Sequence, residues 1–136
     1  MKIVYTYVCG DIIHRGHVSY LLNAKKFGDV LIVGVLTDNA IIEKKKCPTL
    51  SFDERMFIVG ALKSVDVVIP QNTYSPISNM HILHPDIMIE SESHNIKDIA
   101  EVSAHIENLG GRIIILPYYL EQSSTGIKNK IKEDTI

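Results

Sequence analysis

The stretch CGDIIHRGH, residues 9–17, lies between an apolar run and a helical pattern. The preceding residues 3–8, IVYTYV, have the composition of a buried strand, and apolar side chains recur at helical spacing in residues 18–27. His14 and His17 therefore lie where a strand turns into a helix. Free backbone N–H groups and the positive end of the helix dipole meet at such a turn, so the sequence predicts a phosphate-binding site there.

The spacing of this histidine pair favours a functional role over a structural one. Gly16 lets a ligand approach the backbone closely, and neutral imidazoles donate hydrogen bonds to phosphate oxygens. A helix-capping or buried core histidine is the structural alternative for each residue. A metal site is a further alternative, but the pair lacks an evident third ligand. By contrast, we interpret His81 and His84 as loop or packing residues, because no helical turn is predicted around them and His84 precedes a proline.

The remaining pattern alternates strands with helices. Ser51 to Glu54 form a capping box that opens a helix ending near residue 63, a second helix spans 97–109 before Gly110 and Gly111, and a last helix begins at residues 123–125. This alternation predicts a single α/β domain over residues 1–136, a Rossmann-like, doubly wound parallel sheet of five strands. The predicted strands are residues 2–8, 29–36, 65–69, 86–89 and 112–116.

Composition excludes several classes of protein. The chain has 136 residues, a net charge of −2 and 46% hydrophobic residues, which argues against a general nucleic-acid binder and fits one globular domain. No apolar run is long enough to span a membrane and no signal-peptide pattern is present, so we expect no membrane partner. Cys9 and Cys47 make neither a disulfide framework nor a paired metal motif, which favours a cytoplasmic location.

The HRGH stretch, residues 14–17, resembles the HxGH signature of nucleotidyltransferases that join a nucleoside triphosphate to a phosphorylated alcohol. More narrowly, residues 2 to about 132 resemble the small bacterial cytidylyltransferases that act on glycerol 3-phosphate and the cytidylyltransferase domains of phosphonate biosynthesis. The resemblance implies transfer of CMP from CTP to a small phosphorylated or phosphono alcohol, with release of pyrophosphate. It also implies Mg²⁺ accompanying the triphosphate and a homodimer.

The same resemblance assigns residues to roles. The predicted catalytic residues are His14, His17, Lys44 and Arg55. The predicted nucleotide-binding residues are Cys9, Gly10, Asp11, His14, Gly16, His17, Glu92, Ser123, Ser124 and Thr125. The predicted acceptor-binding residues are Lys44 and Lys46. No protein metal ligand is predicted.

Each of these assignments has a structural alternative. The lysine run of residues 44–46 is alternatively a solvated surface, as charge runs usually are. If the segment is extended, Lys45 points away from its two neighbours. Arg55 is alternatively a surface helix arginine, although guanidinium suits phosphate. Asp38 is expected at the end of the second strand, where its side chain holds a backbone turn and does not contact ligand. The hydroxyl run 123–125 is alternatively an ordinary helix cap.

Two departures from the family pattern bear on the substrate. Glycerol-phosphate enzymes carry an arginine before the hydroxyl segment, whereas residues 118–121 here are Tyr-Tyr-Leu-Glu. Their glycine-aspartate-aspartate-tryptophan run appears as residues 91–94, Ser-Glu-Ser-His, so that Glu92 replaces an aspartate and His94 stacks in place of tryptophan. These differences favour an acceptor other than glycerol 3-phosphate.

Three other functions remain open from sequence. An adenylyltransferase has the same signature, because HxGH does not read the base. A non-catalytic nucleotide-binding protein agrees with the missing arginine, and a structural subunit disagrees with the histidine pair. The acceptor candidates are glycerol 3-phosphate, a two-carbon phosphonate such as 2-aminoethyl- or 2-hydroxyethylphosphonate, and a phosphocholine-like alcohol.

Overall fold

A computed structural model describes residues 1–117 and 124–134. Its elements alternate along the chain, as the sequence predicts. The strands are β1 Ile3–Val8, β2 Val30–Leu36, β3 Val67–Gln71, β4 Ile87–Ser91 and β5 Arg112–Leu116. The helices are α1 Arg15–Lys25, α2 Asp38–Ile42, α3 Phe52–Gly60, α4 Ile77–Leu83, α5 Ile96–Asn108 and α6 Ser124–Asp134.

The five strands form one parallel sheet in the order β3-β2-β1-β4-β5, which confirms the predicted doubly wound, Rossmann-like fold. The chain runs outward from β1 to β3 and then returns to place β4 on the other side of β1. Strand order therefore reverses between β1 and β4, and ligands bind above such a reversal, at the carboxyl ends of the strands. The residues after β1 lie at this point.

Two apolar clusters cover the two faces of the sheet. Leu21 of α1 and Val59 of α3 pack with Val4 on one face, whereas Met80 of α4 and Ile106 of α5 pack on the other. Side chains alternate along a strand, so neighbouring residues of β1 and β4 serve opposite faces. The even-numbered residues of β1 face α1 and α3, and the odd-numbered ones face α4 and α5.

Helices α2 and α4 were not predicted, because both are short and carry few buried apolar residues. The interpretation of His81 and His84 as loop residues is corrected here. His81 lies within α4, and His84 caps its C-terminus with a left-handed φ of 46° while its N–H donates to the carbonyl of Met80 at 2.8 Å. Pro85 follows at once, which ends the helix.

Within the part of the chain that the structure describes, every helix is too short or too polar to cross a membrane.

Candidate functional site

A glycine with positive φ forms the turn that follows β1. Gly10 has φ of 74°, and a Cβ atom built on it would lie 3.0 Å from Cγ2 of Val59. Both the conformation and the close packing therefore favour glycine here. The turn directs the chain from the sheet edge into the N-terminus of α1.

His14 and His17 cap α1 reciprocally. The Nδ1 atom of His14 accepts a hydrogen bond from the N–H of Gly16 at 3.0 Å, and Nδ1 of His17 accepts one from the N–H of His14 at 3.2 Å. The ring centroids lie 4.1 Å apart. The capping alternative and the phosphate-binding prediction are therefore compatible, because capping uses only one nitrogen of each ring.

The capping bonds determine the protonation of both rings. A ring nitrogen that accepts a backbone hydrogen bond carries no proton, so each neutral imidazole carries its proton on Nε2. Burial lowers the pKa of His14, and burial together with the nearby His14 and Lys45 lowers the pKa of His17 to about 4. Both rings are thus neutral Nε2–H donors at pH 7.

The N-terminus of α1 is electrostatically suited to an anion. Its first turn contains no acidic residue, so no side chain of that turn offsets the positive end of the helix dipole. Gly16 is buried within that turn and has no side chain to block the backbone. The positive end of the helix dipole and the two imidazole rings therefore lie at the same helix end, as a phosphate site requires.

Asp11 bonds two separate segments to the turn. It is 4% exposed, and its carboxylate accepts the N–H groups of Thr49 at 2.9 Å and Leu50 at 2.8 Å and the ammonium of Lys128 in α6. Burial alone would raise the pKa of this carboxyl, but the bonds from Lys128, Thr49 and Leu50 outweigh it and lower the pKa. Asp11 thereby holds α6 beside the histidines.

Arg55 occupies a different place from the predicted phosphate contact. Its side chain is 0% exposed, and its guanidinium donates at 2.6 Å to the carbonyl oxygens of Cys9 and Leu36 and to the carboxylate of Asp38. A further bond reaches the carbonyl of Leu50 at 3.3 Å. The geometry makes Arg55 an internal link between the ends of β1 and β2, and the carboxylate of Asp38 is one of its partners.

Cys9 contributes its backbone to this link. Its side chain is half-buried, and burial raises the pKa of the thiol. Its carbonyl accepts from Arg55, so Cys9 positions the turn through its main chain.

The lysine segment is a turn rather than an extended strand, which corrects the expected alternation. The N–H groups of Lys44 and Lys45 both reach the carbonyl of Ile41, at 3.1 and 2.8 Å. Lys44 pairs with Asp98 at 2.9 Å, and both ammonium groups lie over the ring of Tyr74. Lys45, which we expected to point away, is the lysine that lowers the pKa of His17.

A cavity of about 360 Å³ opens on the α4–α5 face at the same sheet edge. Its walls come from the end of β1, the segment after α2, the segment after β3 and the N-terminal half of α5. The lining residues are Tyr7, Glu43, Lys44, Tyr74, Ser75, Pro76, Ser93, His94, Asn95, Asp98, Glu101 and Val102. Lys44 lines this cavity, whereas Lys46 is exposed in the loop nearby, and the acceptor role of both stays a prediction.

A buried carboxylate lies beneath this cavity and was missed from sequence. Glu90, 1% exposed, accepts the hydroxyl of Tyr7 at 2.9 and 3.1 Å and Nδ1–H of His94 at 2.5 Å. The Tyr7 and His94 rings stack with centroids 5.6 Å apart, so His94 does stack on an aromatic ring. Burial and the Glu90 charge raise the pKa of Tyr7. The sequence signal that could have identified this carboxylate is a single acidic residue, Glu90, in the otherwise apolar run of β4.

The other predicted residues lie at the same sheet edge or outside the residues that the structure describes. Glu92 is exposed beside β5, where its N–H donates to the carbonyl of Leu116 at 3.0 Å. Ser124 and Thr125 open α6, as the sequence predicts. Ser123 and residues 118–121, where the family arginine is missing, lie outside the described residues.

No group of three or more histidine, cysteine or acidic side chains suited to a metal occurs among residues 1–117 and 124–134. A Mg²⁺ ion bound mainly by triphosphate oxygens and water fits this donor set, because such an ion needs few protein ligands.

Comparison with known proteins gives concordant matches. Residues 7–130 match the family described as cytidylyltransferase-like. The chain is 41% identical over 133 residues to the bifunctional protein HldE of Blochmanniella pennsylvanica (strain BPEN), which covers 96% of the chain and 28% of that protein. It is 40% identical over 100 residues to HldE of Helicobacter pylori (strain J99 / ATCC 700824), covering 72% of the chain and 22% of that protein. The chain therefore spans less than a third of these relatives.

Solved structures agree on the architecture. The lipopolysaccharide core biosynthesis protein from Thermoplasma volcanium GSS1 superposes with a TM-score of 0.75 at 29% identity, covering 88% of this chain and 97% of that one. Pantoate-beta-alanine ligase from Francisella tularensis superposes with a TM-score of 0.63 at 16% identity, covering 99% and 70%. The second likeness concerns the fold alone.

Proposed function

Because the chain belongs to the cytidylyltransferase-like family, we propose that it transfers a nucleoside monophosphate from a nucleoside triphosphate to a phosphate-bearing acceptor and releases pyrophosphate. The donor that we predict is CTP, and the acceptor is a small phosphorylated or phosphono alcohol. The observation that carries the proposal is the pair of neutral histidines at the N-terminus of α1. Their capping bonds use Nδ1 and so place the ring proton on Nε2, the atom that donates to the phosphoryl group in this proposal.

The chemistry requires positioning rather than proton abstraction. An oxygen of the acceptor phosphate attacks the α-phosphorus in line, a new P–O bond forms, and the bond to the bridging oxygen of pyrophosphate breaks. A phosphate group is largely dianionic at pH 7, since its second pKa is about 6, so the nucleophile needs no general base. Catalysis then rests on alignment and on stabilising the charge that develops.

The described residues around the turn after β1 have separate roles in this chemistry. His14 and His17 donate to the α-phosphate and the bridging oxygen, while Asp11 and Arg55 hold the loops around them. Lys128 ties the start of α6 to Asp11, which supports the prediction that the hydroxyls of residues 123–125 hold the departing pyrophosphate. Mg²⁺ bound to the triphosphate supplies further charge neutralisation.

An adenylyl transfer is the second candidate. The arginine that helps hold nucleotide in the glycerol-phosphate enzymes is missing, so base recognition in this chain differs from theirs. The HxGH residues are equally compatible with CTP and ATP, because they meet phosphate and not base.

The decisive experiment measures pyrophosphate release with CTP and with ATP against a panel of acceptors. The panel contains glycerol 3-phosphate, 2-aminoethylphosphonate, 2-hydroxyethylphosphonate and phosphocholine. It also contains sugar phosphates, because one structural relative is a lipopolysaccharide core biosynthesis protein. We expect release that needs one nucleotide and one acceptor together. Nucleotide binding without release for any pair would contradict the proposal and favour a non-catalytic nucleotide-binding protein.

The lysine segment provides a prediction about substrate binding. Lys44→Ala should raise the acceptor KM by roughly tenfold, the value of one charge-assisted hydrogen bond. Lys45→Ala should instead raise the nucleotide KM, because Lys45 lies near His17. Lys46→Ala tests the acceptor role predicted from sequence. Steady-state kinetics with each substrate varied separately checks all three, and three near-neutral variants would make the segment an ordinary solvated face.

We also propose that the protein is a homodimer. The family resemblance implies a dimer, and Phe57 on α3, two residues after Arg55 and 78% exposed, offers an apolar side chain for such an interface. Sedimentation at micromolar concentration should give twice the 15.3 kDa mass of the chain. The Phe57→Glu variant should instead sediment with the mass of a single chain. A single 15.3 kDa species of the unchanged protein would refute the dimer.

A further inference from the structure

The carboxylate of Glu90 is buried at a position where the fold itself has no need of a charge. Ile87, Met88 and Ile89 precede it in β4 and are as fully buried as it is. A buried charge costs several kcal/mol unless it is paired. Within the described residues its side-chain partners are the hydroxyl of Tyr7 and the ring of His94. An apolar side chain would fill this position more cheaply.

The strand order explains how these three residues meet. Tyr7 lies near the end of β1 and Glu90 near the end of β4, which are neighbouring parallel strands. Both side chains emerge on the α4–α5 face, beneath the cavity. His94 follows β4 by one turn and forms part of the cavity wall. The cluster therefore connects the sheet interior directly with the cavity.

We propose that His94 is a substrate-contacting residue that binds the phosphate or phosphonate group of the acceptor, and that Glu90 and Tyr7 are positioning residues that hold its ring. This inference rests on the proposed function, because the cavity is taken as the acceptor site. Glu90 occupies Nδ1 of His94 and thereby fixes the orientation of the ring. Nε2–H is then left to donate to an anion.

The other walls of the cavity define the rest of the acceptor. Asp98 and Glu101 of α5 and Glu43 after α2 place carboxylates there, beside Lys44. Lys44 already pairs with Asp98, so the acids exceed the cations on that side. Carboxylates accept hydrogen bonds from hydroxyl or amino groups. The acceptor class is therefore a small molecule with an anionic group, bound by His94 and Lys44, and with hydroxyl or amino donors that face the carboxylates.

A purely structural role for the cluster makes the opposite prediction. If Glu90 served only packing, replacing it with a hydrophobic residue of similar volume would leave the acceptor KM unchanged, although the Tyr7 hydroxyl would lose its acceptor and the protein some stability. If it positions His94, the same change also weakens acceptor binding in a protein that remains folded. Glu90→Met and Glu90→Gln therefore separate the two roles, the first by removing polarity and the second by removing charge alone.

The kinetic test compares these variants with His94→Gln and with His81→Gln as the matched control. His81 is also bonded through a ring nitrogen, to His105 at 3.0 Å, but lies outside the cavity wall. We expect His94→Gln, Glu90→Gln and Glu90→Met to raise the acceptor KM about tenfold or more, with nucleotide KM and kcat within about twofold. His81→Gln should match the unchanged protein. An acceptor KM within twofold for His94→Gln would overturn the inference.

A binding test keeps this inference separate from the proposed reaction. Inorganic phosphate is titrated into the unchanged protein while the histidine side-chain signals are followed by NMR. We expect His94 to respond, and its response to be lost in Glu90→Met while that variant remains folded. If no acceptor is turned over but His94 still responds, the reaction fails and the anion site stands. If turnover occurs but His94 does not respond, the reaction stands and this inference fails.

Discussion

His17→Ala should lose nearly all turnover while the protein remains folded. Removing one positioned donor to a developing charge costs about 100- to 1,000-fold in kcat, or about 3–4 kcal/mol. Nucleotide binding should weaken much less, because this contact strengthens as the transition state forms. Single-turnover rates of pyrophosphate release, measured beside nucleotide affinity, check both effects.

The capping role of the histidines requires a control. Nδ1 of His17 accepts the N–H of His14, so alanine also removes a cap, which costs about 1 kcal/mol of stability. His14→Asn provides the matched variant, because asparagine is a favourable N-cap but lacks an Nε2–H. It should retain the melting temperature and still lose rate. Turnover of either variant within a few-fold of the unchanged protein would remove that histidine from the chemistry.

Arg55→Ala should be the most destabilising single change described for this protein. It leaves the carbonyl oxygens of Cys9 and Leu36 without the guanidinium that bonds both at 2.6 Å. Each buried acceptor without a partner costs about 1–3 kcal/mol, so the total expected loss is roughly 3–5 kcal/mol. Urea unfolding curves measure it, and the midpoint should fall without a change in slope.

Two companion variants separate this internal link from a phosphate contact. Asp38→Asn removes only the half-exposed partner and should change stability by less than about 1 kcal/mol. Arg55→Lys retains the positive charge but not the fork that spans several acceptors, so it should also destabilise the protein. If Arg55→Ala instead retained its stability and lost only acceptor binding, the phosphate role predicted from sequence would be correct.

The sequence by itself determined the architecture. Apolar runs alternating with helical patterns predicted the five parallel strands, since a parallel sheet needs long crossovers and hydrophobic strands. The HRGH stretch following a strand predicted the phosphate site that we propose, because strand, glycine, dipole and imidazoles are neighbours along the chain. The sequence was enough to predict a feature wherever the groups that form it are close together along the chain. The short helices α2 and α4 escaped detection because their periodicity is brief.

Only the tertiary structure decided what the long-range partners do. Arg55 bonds residues 46 and 19 positions away, and Tyr7 meets Glu90 from 83 positions away. A guanidinium binds carbonyl groups or phosphate equally well, so residue type does not distinguish an internal link from a ligand. The Tyr7–Glu90–His94 cluster exists because β4 returns to lie beside β1. That pairing follows from how the crossovers pack on the sheet, and no local pattern in residues 7 or 90 specifies it.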